Sequence, residues 1–261
     1  MHITSLHHPL IKEIKQLHDH NGRVAQQRFI AEGIRTCTTL LSSSLTCEYL
    51  FVTPALKQQV HALSGSYQLV EVSEPVIKKL STTTTPSGIL GIFRIPPAPD
   101  PHCITSGLVL AQIADPGNMG TLIRTSAALM HTSLVIIEGV DPWSPKVVQA
   151  SAGTIGSLNI FQWTWDMLIE QCATHHITLS ALVVQGGADF FSAPAHTREL
   201  FVIGSEAHGI PPAWQSECHQ SLTLPMPGGT ESLNAGVAGS IVLYASYLRT
   251  HRSPSLLSSG I

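Results

Sequence analysis

The sequence predicts an α/β protein of two domains, the second built on a mostly parallel sheet. Three observations carry this. At 261 residues the chain is long for one average domain. A proline-rich seam, Ile95-Pro-Pro-Ala-Pro-Asp-Pro101, divides it, because proline fixes φ and biases its predecessor to extended backbone. Beyond the seam, short continuous apolar runs alternate with helical stripes, the pattern of strands covered on both faces by crossover helices. The composition, 43% hydrophobic and 12% charged, excludes a disordered chain. A net charge of -3 does not mark a nucleic-acid binder. Residues 1–100 nevertheless hold nine Lys and Arg against seven Asp and Glu, and the rest five against ten, so a polyanion would meet the N-terminal part first.

Met1 to Leu17 is interrupted by His7, His8, Pro9, Lys12, Glu13 and Lys15, which does not make a signal peptide. No stretch approaches the ~18 apolar residues of a spanning helix. Leu10, Ile11, Ile14 and Leu17 repeat at helical spacing. Tyr49–Thr53 and Tyr67–Val72 read as strands, Val76–Leu80 as a helix, and Gly88–Arg94 as a further strand. Past the seam, strands are expected at Leu108–Ile113, Leu134–Ile137, Ile177–Val184, Leu200–Ile203 and Leu222–Leu224. Met119, Leu122, Ile123, Ala127 and Met130 form a helical stripe, and Leu233–Leu248 a long apolar helix. The expected domains are therefore 1–95 and 104–250, with a linker at 96–103 and a Ser-rich, frayed tail over 251–261. The five cysteines are odd in number and form no C-x-x-C, which fits reduced thiols in a cytoplasm. The 14 histidines show no metal-ligand spacing: His7-His8 and His175-His176 are adjacent pairs that point apart. No metal is expected.

Several chemistries lack their motifs. There is no G-x-x-x-x-G-K, no G-x-G-x-x-G after a strand, no G-x-S-x-G and no H-E-x-x-H. What remains are three strand-to-helix junctions in the second half, where ligands of open parallel sheets bind. The first reads Asp115-Pro-Gly-Asn-Met-Gly-Thr-Leu-Ile-Arg-Thr125. Asn118 is suited to cap the following helix, and Arg124 lies beside the apolar stripe, free to reach outward or to join a surface ion pair. The second reads Gly204-Ser-Glu-Ala-His-Gly-Ile-Pro211, two glycines framing Glu206 and permitting close approach or positive φ. In the third, Leu224-Pro-Met-Pro-Gly-Gly-Thr-Glu-Ser-Leu-Asn234, a Gly228-Gly229 loop leads to a helix whose first turn is expected to hold Glu231, Ser232 and Asn234. Each alone is also explained as a capped helix or a solvated turn.

In this order and spacing the three junctions resemble the SpoU (TrmH) family of SPOUT RNA methyltransferases, whose motifs look like D-P-x-N-x-G-x-I-x-R-T, G-x-E-x-x-G and I-P-M-x-G-x-x-E-S-L-N-V-x-V-A. Pro145–Gly153 looks like the segment between the first two motifs. Arg23 to Arg35, with Phe29-Ile-Ala-Glu-Gly33, looks like the N-terminal L30e-like RNA-binding domain of many members. Two positions depart from the pattern: Ala207 replaces a common glycine, and Ala235-Gly236 replaces Val-Ser or Val-Ala. Both replacements are small, and the positions expected to do chemistry are intact.

The resemblance implies a C-terminal domain with a trefoil knot, S-adenosylmethionine as cofactor, a homodimer, and methyl transfer to a ribose 2′-OH of rRNA or tRNA. Gly204, Leu224, Met226, Ser232 and Leu233 are the implied cofactor contacts, and Arg124, Asn118, Glu206 and Asn234 the catalytic set. Asn118 and Asn234 would position loop and substrate, and Glu206 would orient Arg124 or the RNA. Arg124 could act as base or as electrostatic clamp. A guanidinium of pKa above about 12.5 is neutral at pH 7 in fewer than roughly one molecule in 10⁵, a penalty of about 7 kcal/mol, which favours the clamp. Lys12, Lys15, Arg23, Arg28 and Arg35 are candidate phosphate contacts. A SPOUT base methyltransferase and a non-catalytic RNA-binding relative are the alternatives. The S-L-N motif and Arg124 weigh against the first, and the intact polar residues against the second.

Overall fold

A computed structural model describes residues 1–60, 63–228 and 231–251. The expected tail from Arg252 onward, and Gly229 of the third junction, lie outside the described residues. The chain forms two compact units, Met1–Pro97 with Asp141–Ser157, and Ala98–Val140 with Leu158–Ile261.

The first unit begins with β1 (His2–Ile3), α1 (Pro9–Lys15), α2 (His20–Gln26) and β2 (Arg28–Glu32). It continues through α3 (Ile34–Leu41), β3 (Cys47–Val52), α4 (Lys57–Val60), β4 (Gln68–Val72), α5 (Glu74–Leu80) and β5 (Ile89–Arg94). The sheet order is β1-β4-β3-β5-β2; β1, β4 and β3 are parallel, and β5 runs antiparallel to β3 and β2. The stripe read from the sequence is real: Ile11, Ile14 and Leu17 bury against Phe51, Val70, Val76 and Leu90. Further along the chain, Asp141–Ser157 rejoins this unit. Its short helix Pro145–Ala150, capped by Ser144, packs on β2, and Trp143 lies 5.0 Å from Phe29, ring centre to ring centre.

That return segment explains Arg23, which is not available to a phosphate. Arg23 is only 4% exposed. Its guanidinium meets Asp141 Oδ2 at 2.7 Å and donates to the Leu17 and His18 carbonyls at 2.9 Å. Arg28 is committed as well, to Glu13 at 2.9 Å and Glu48 at 3.3 Å. Lys12, Lys15 and Arg35 are exposed, with Lys15 Nζ 3.2 Å from His18 Nδ1.

In the second unit the elements are β6 (Gly107–Ala111), α6 (Pro116–Ala128), β7 (Ser133–Ile137), β8 (Asn159–Gln162), α7 (Trp165–Thr174), β9 (Thr178–Leu182), β10 (Ala188–Asp189), β11 (Glu199–Ile203), α8 (Pro212–Glu217), β12 (Gln220–Thr223) and α9 (Ala235–His251). The sheet order is β10-β12-β9-β11-β6-β7-β8, and all of its strand pairs are parallel. Every residue of β6, β7 and β11 is buried, as the continuous apolar runs imply. One face packs on Trp165, Leu168 and Cys172 of α7. These three follow helical spacing and Thr164 caps the helix, so the signal was present although the sequence reading did not assign it.

Three local expectations need correction. Asp115, not Asn118, caps α6: its carboxylate accepts from the Asn118 backbone N–H at 2.8 Å, and Pro116 takes the first helical position. The helical stripe ends before Met130, which lies past the helix with φ +59 and is 83% exposed. Glu231, Ser232, Leu233 and Asn234 precede α9 and are not in its first turn.

Among the described residues no helix is long and apolar enough to cross a membrane. The Arg23–Asp141 pair gives a test. Burial alone would raise the Asp141 carboxyl, but bonds from His20, the Trp143 N–H and Arg23, with the Arg23 charge, hold it below its ordinary value near 3.8. With a depressed folded value, the contribution is whole above the unfolded value and is lost as pH falls through the folded one. Arg23→Ala is expected to cost about 3 kcal/mol in urea unfolding near pH 7, and a smaller amount below pH ~3.

Candidate active site

Because the sheet is parallel, the turns after β6, β9, β11 and β12 all emerge at one edge, and these four strands are neighbours. The three sequence junctions therefore meet in space. The β11 turn is tight. Ser205 and Gly209 exchange backbone hydrogen bonds, at 3.2 and 2.8 Å, which closes the loop on itself. A Cβ on Gly204 would overlap the backbone of Gly209 and Ile210, and Gly209 has φ +66. One glycine is needed for contact and the other for conformation.

The closed loop presents Glu206 to the first turn of α6, where Asn118 Nδ2 donates to its Oε1. Capping by Asp115 leaves the Asn118 side chain free for this contact. From the third loop, Asn234 Oδ1 accepts from the Val237 N–H at 3.2 Å and so caps α9. A Cβ at Gly236 would lie 3.0 Å from Asn118 Oδ1 and 3.2 Å from Asn234 Oδ1. The absence of a side chain at 236 thus lets the two asparagines share one corner. Thr125 and Ser240 hydroxyls, 3.0 Å apart, join α6 to α9 further along. Gly239 lets α9 lie directly on Leu122 and Ile203.

Beside this corner is a cavity of about 240 Å³. All five residues expected at a cofactor, Gly204, Leu224, Met226, Ser232 and Leu233, line it, as do Glu206 and Asn234. Its apolar wall also uses Leu182, Val183 and Ala238, which sequence reasoning missed. Leu182 ends β9 and Val183 follows it, and no local pattern reveals that β9 lies between β11 and β12. Arg124 stands apart: it is exposed on α6 and forms no ion pair among the described residues. Glu206 is bonded to Asn118, so the expected orientation of Arg124 by Glu206 is not seen. Among the described residues no three His, Cys, Asp or Glu side chains gather as a metal site.

The second unit is thus a parallel α/β unit that gathers these three loops, in this chain order, around one cavity. The chain belongs to the SpoU rRNA methylase family, whose model matches residues 106–244; residues 8–91 match the MRM3-like substrate binding domain. The chain is 31% identical over 257 residues to an uncharacterized tRNA/rRNA methyltransferase of Synechocystis, spanning 93% of this chain and 92% of that one. It is 24% identical over 245 residues to the 23S rRNA (guanosine(2553)-2′-O)-methyltransferase of Bacillus subtilis, spanning 93% and 97%. The crystal structure of an AdoMet-bound rRNA methyltransferase from Sinorhizobium meliloti superposes with a TM-score of 0.85 at 25% identity, over 97% of this chain and 99% of that one.

Gly204→Ala should force the Gly204–Ile210 turn apart at a cost of about 1–3 kcal/mol. Differential scanning calorimetry should record this as a lowered Tm, whereas a Ser205→Ala control stays near wild type.

Proposed function

We propose that this protein transfers a methyl group from S-adenosylmethionine to a ribose 2′-OH of rRNA or tRNA. The observation that carries the reading is the convergence of three distant loops on one cavity, with Asn118, Glu206 and Asn234 at its corner. The residues present suit the cofactor. Gly204 brings bare main chain to the cavity wall, where a side chain would overlap Gly209. Peptide groups there can meet a purine edge, and Leu182, Leu224, Leu233 and Ala238 give the apolar surface that a ring requires. When bound, S-adenosylmethionine supplies an electrophilic methyl carbon on its sulfonium.

The chain's own groups do the rest. Gly204, Leu224, Met226, Ser232 and Leu233 bind, while Asn118 and Asn234 fix the loops so that the acceptor hydroxyl is held in line, an entropic saving of several kcal/mol. Glu206 keeps the Asn118 amide oriented. Arg124 stabilises the developing alkoxide and a neighbouring phosphate as a permanent cation, and the hydroxyl proton leaves to solvent water at the exposed face where Arg124 stands. Its lack of an ion pair among the described residues supports that role, since an arginine already paired would have to be released first.

The working form is a homodimer. Val237, Ile241 and Tyr244 of α9, with Phe191 from the turn after β10, are exposed and border an apolar groove of about 720 Å³ together with Leu248 and Thr121. An apolar surface of this kind is a contact site, and a second copy covers it while approaching Arg124, one turn beyond Thr121. By the same family reading the second unit, which does the methyl transfer, is trefoil-knotted. The return of β12 to lie beside β9, followed by α9 crossing back to α6, supports this. The first unit is L30e-like and binds RNA, and of the five cations expected at phosphates Lys12, Lys15 and Arg35 are the exposed ones.

RNA methylated by the protein should yield alkali-resistant dinucleotides, because only a 2′-O-methyl blocks cleavage at that bond; alkali-labile label would show base methylation instead. Arg124→Ala should lower turnover at least a hundredfold, roughly 2.7 kcal/mol, with S-adenosylhomocysteine affinity unchanged by calorimetry. Tyr244→Glu should sediment as a monomer.

A further inference from the structure

Among the described residues of the first unit, two charged side chains are buried. Arg23 has Asp141. Glu32, the last residue of β2 and 5% exposed, has no cation. Its carboxylate instead accepts from the Ser81 hydroxyl at 2.6 Å, the Thr83 hydroxyl at 3.0 Å and the Thr82 backbone N–H at 3.2 Å. Burying a carboxylate without a counter-charge is costly, and an apolar residue of similar size would serve folding better. What the three bonds hold is the Ser81–Thr85 loop, five hydroxyl residues in a row with Thr82 to Thr85 exposed. The loop joins α5, whose Val76, Ile77 and Leu80 are core, to the buried strand β5, yet it contributes no apolar side chain of its own.

Five of this unit's ten cations are engaged internally, and Lys12, Lys15 and Lys146 are exposed without an ion pair among the described residues. Arg23, Arg28, Arg94 and Lys57 sit in ion pairs, and Lys79 Nζ donates to the Leu6 carbonyl at 2.7 Å. Arg35 and Lys78 are exposed without an ion pair among the described residues. They lie three residues after Glu32 and three before Ser81, at the two anchor points of the loop.

We propose that the Ser81–Thr85 loop, fixed by Glu32 and flanked by Arg35 and Lys78, is where the first unit grips its RNA, with Glu32 as the positioning residue. Hydroxyls donate and accept, so a row of them matches phosphate oxygens and 2′-OH groups without preferring a base. The two cations add salt-dependent attraction. Bonds from the loop occupy the Glu32 carboxylate and keep it away from the polyanion, and a loop ordered in advance gives up less entropy on binding. The inference rests on the RNA methyl transfer proposed above.

The test uses the full-length protein with hypomethylated rRNA and tRNA from cells lacking the gene. Glu32→Gln, and the isosteric surface pair Thr82→Val with Thr84→Val, should each raise KM for RNA at least tenfold. Both should leave kcat at saturating RNA within twofold and S-adenosylhomocysteine affinity unchanged, and Glu32→Asp should recover part of the loss. If the threonine pair leaves KM unchanged, the loop assignment is overturned, and a raised KM in Lys12→Ala with Lys15→Ala would place the RNA on α1 instead. A wild-type protein that methylates no RNA would instead remove the function on which the inference stands.

Discussion

Every pair in the seven-stranded sheet runs parallel, so each strand must be followed by a crossover and each strand-to-helix turn leaves from the same edge. The site depends on this. Asn118, Glu206 and Asn234 are separated by up to 116 residues of chain, and no local preference could bring them together. Placing β6, β11, β9 and β12 side by side does so, and the cavity is the hollow left between their turns. Small residues complete the arrangement. Gly204 and Gly209 close one turn, and Gly236 and Gly239 seat α9 on α6 without a side chain between.

How far this was legible in the sequence follows from the range of each interaction. Strands buried on both faces announce themselves as apolar runs, and β6, β7 and β11 lie within two residues of expectation. The five residues that the motif resemblance assigned to a cofactor all line one cavity. Short edge elements such as β8 and β10 carry too few inward side chains to show a period. The cap of α6 was misplaced by three residues because Asp115 and Asn118 are both good capping types, and Pro116 settles it for Asp115 by occupying the first helical position. The roles of Leu182 and Val183 depend on strand order, which sequence pattern does not reveal.

Charge was the least legible property. The excess of basic residues in the first hundred positions pointed to a polyanion, but formal charge is not available charge. Arg23 anchors a buried carboxylate, and Arg28 and Arg94 both meet Glu48. Those pairs fasten the first unit together. The basic groups left over for a ligand are fewer than the count implies.

The return of Asp141–Ser157 to the first unit has a consequence for how this architecture can be cut and recombined. The backbone crosses from one unit to the other three times, after Pro97, Val140 and Ser157, although the proline seam looks like a single hinge. A fragment ending at that seam would lack Trp143 against Phe29 and the partner of Arg23. Its complement would carry an orphaned segment. The halves are interleaved, not strung in tandem, and swapping substrate modules between relatives would have to carry both pieces of chain in one exchange.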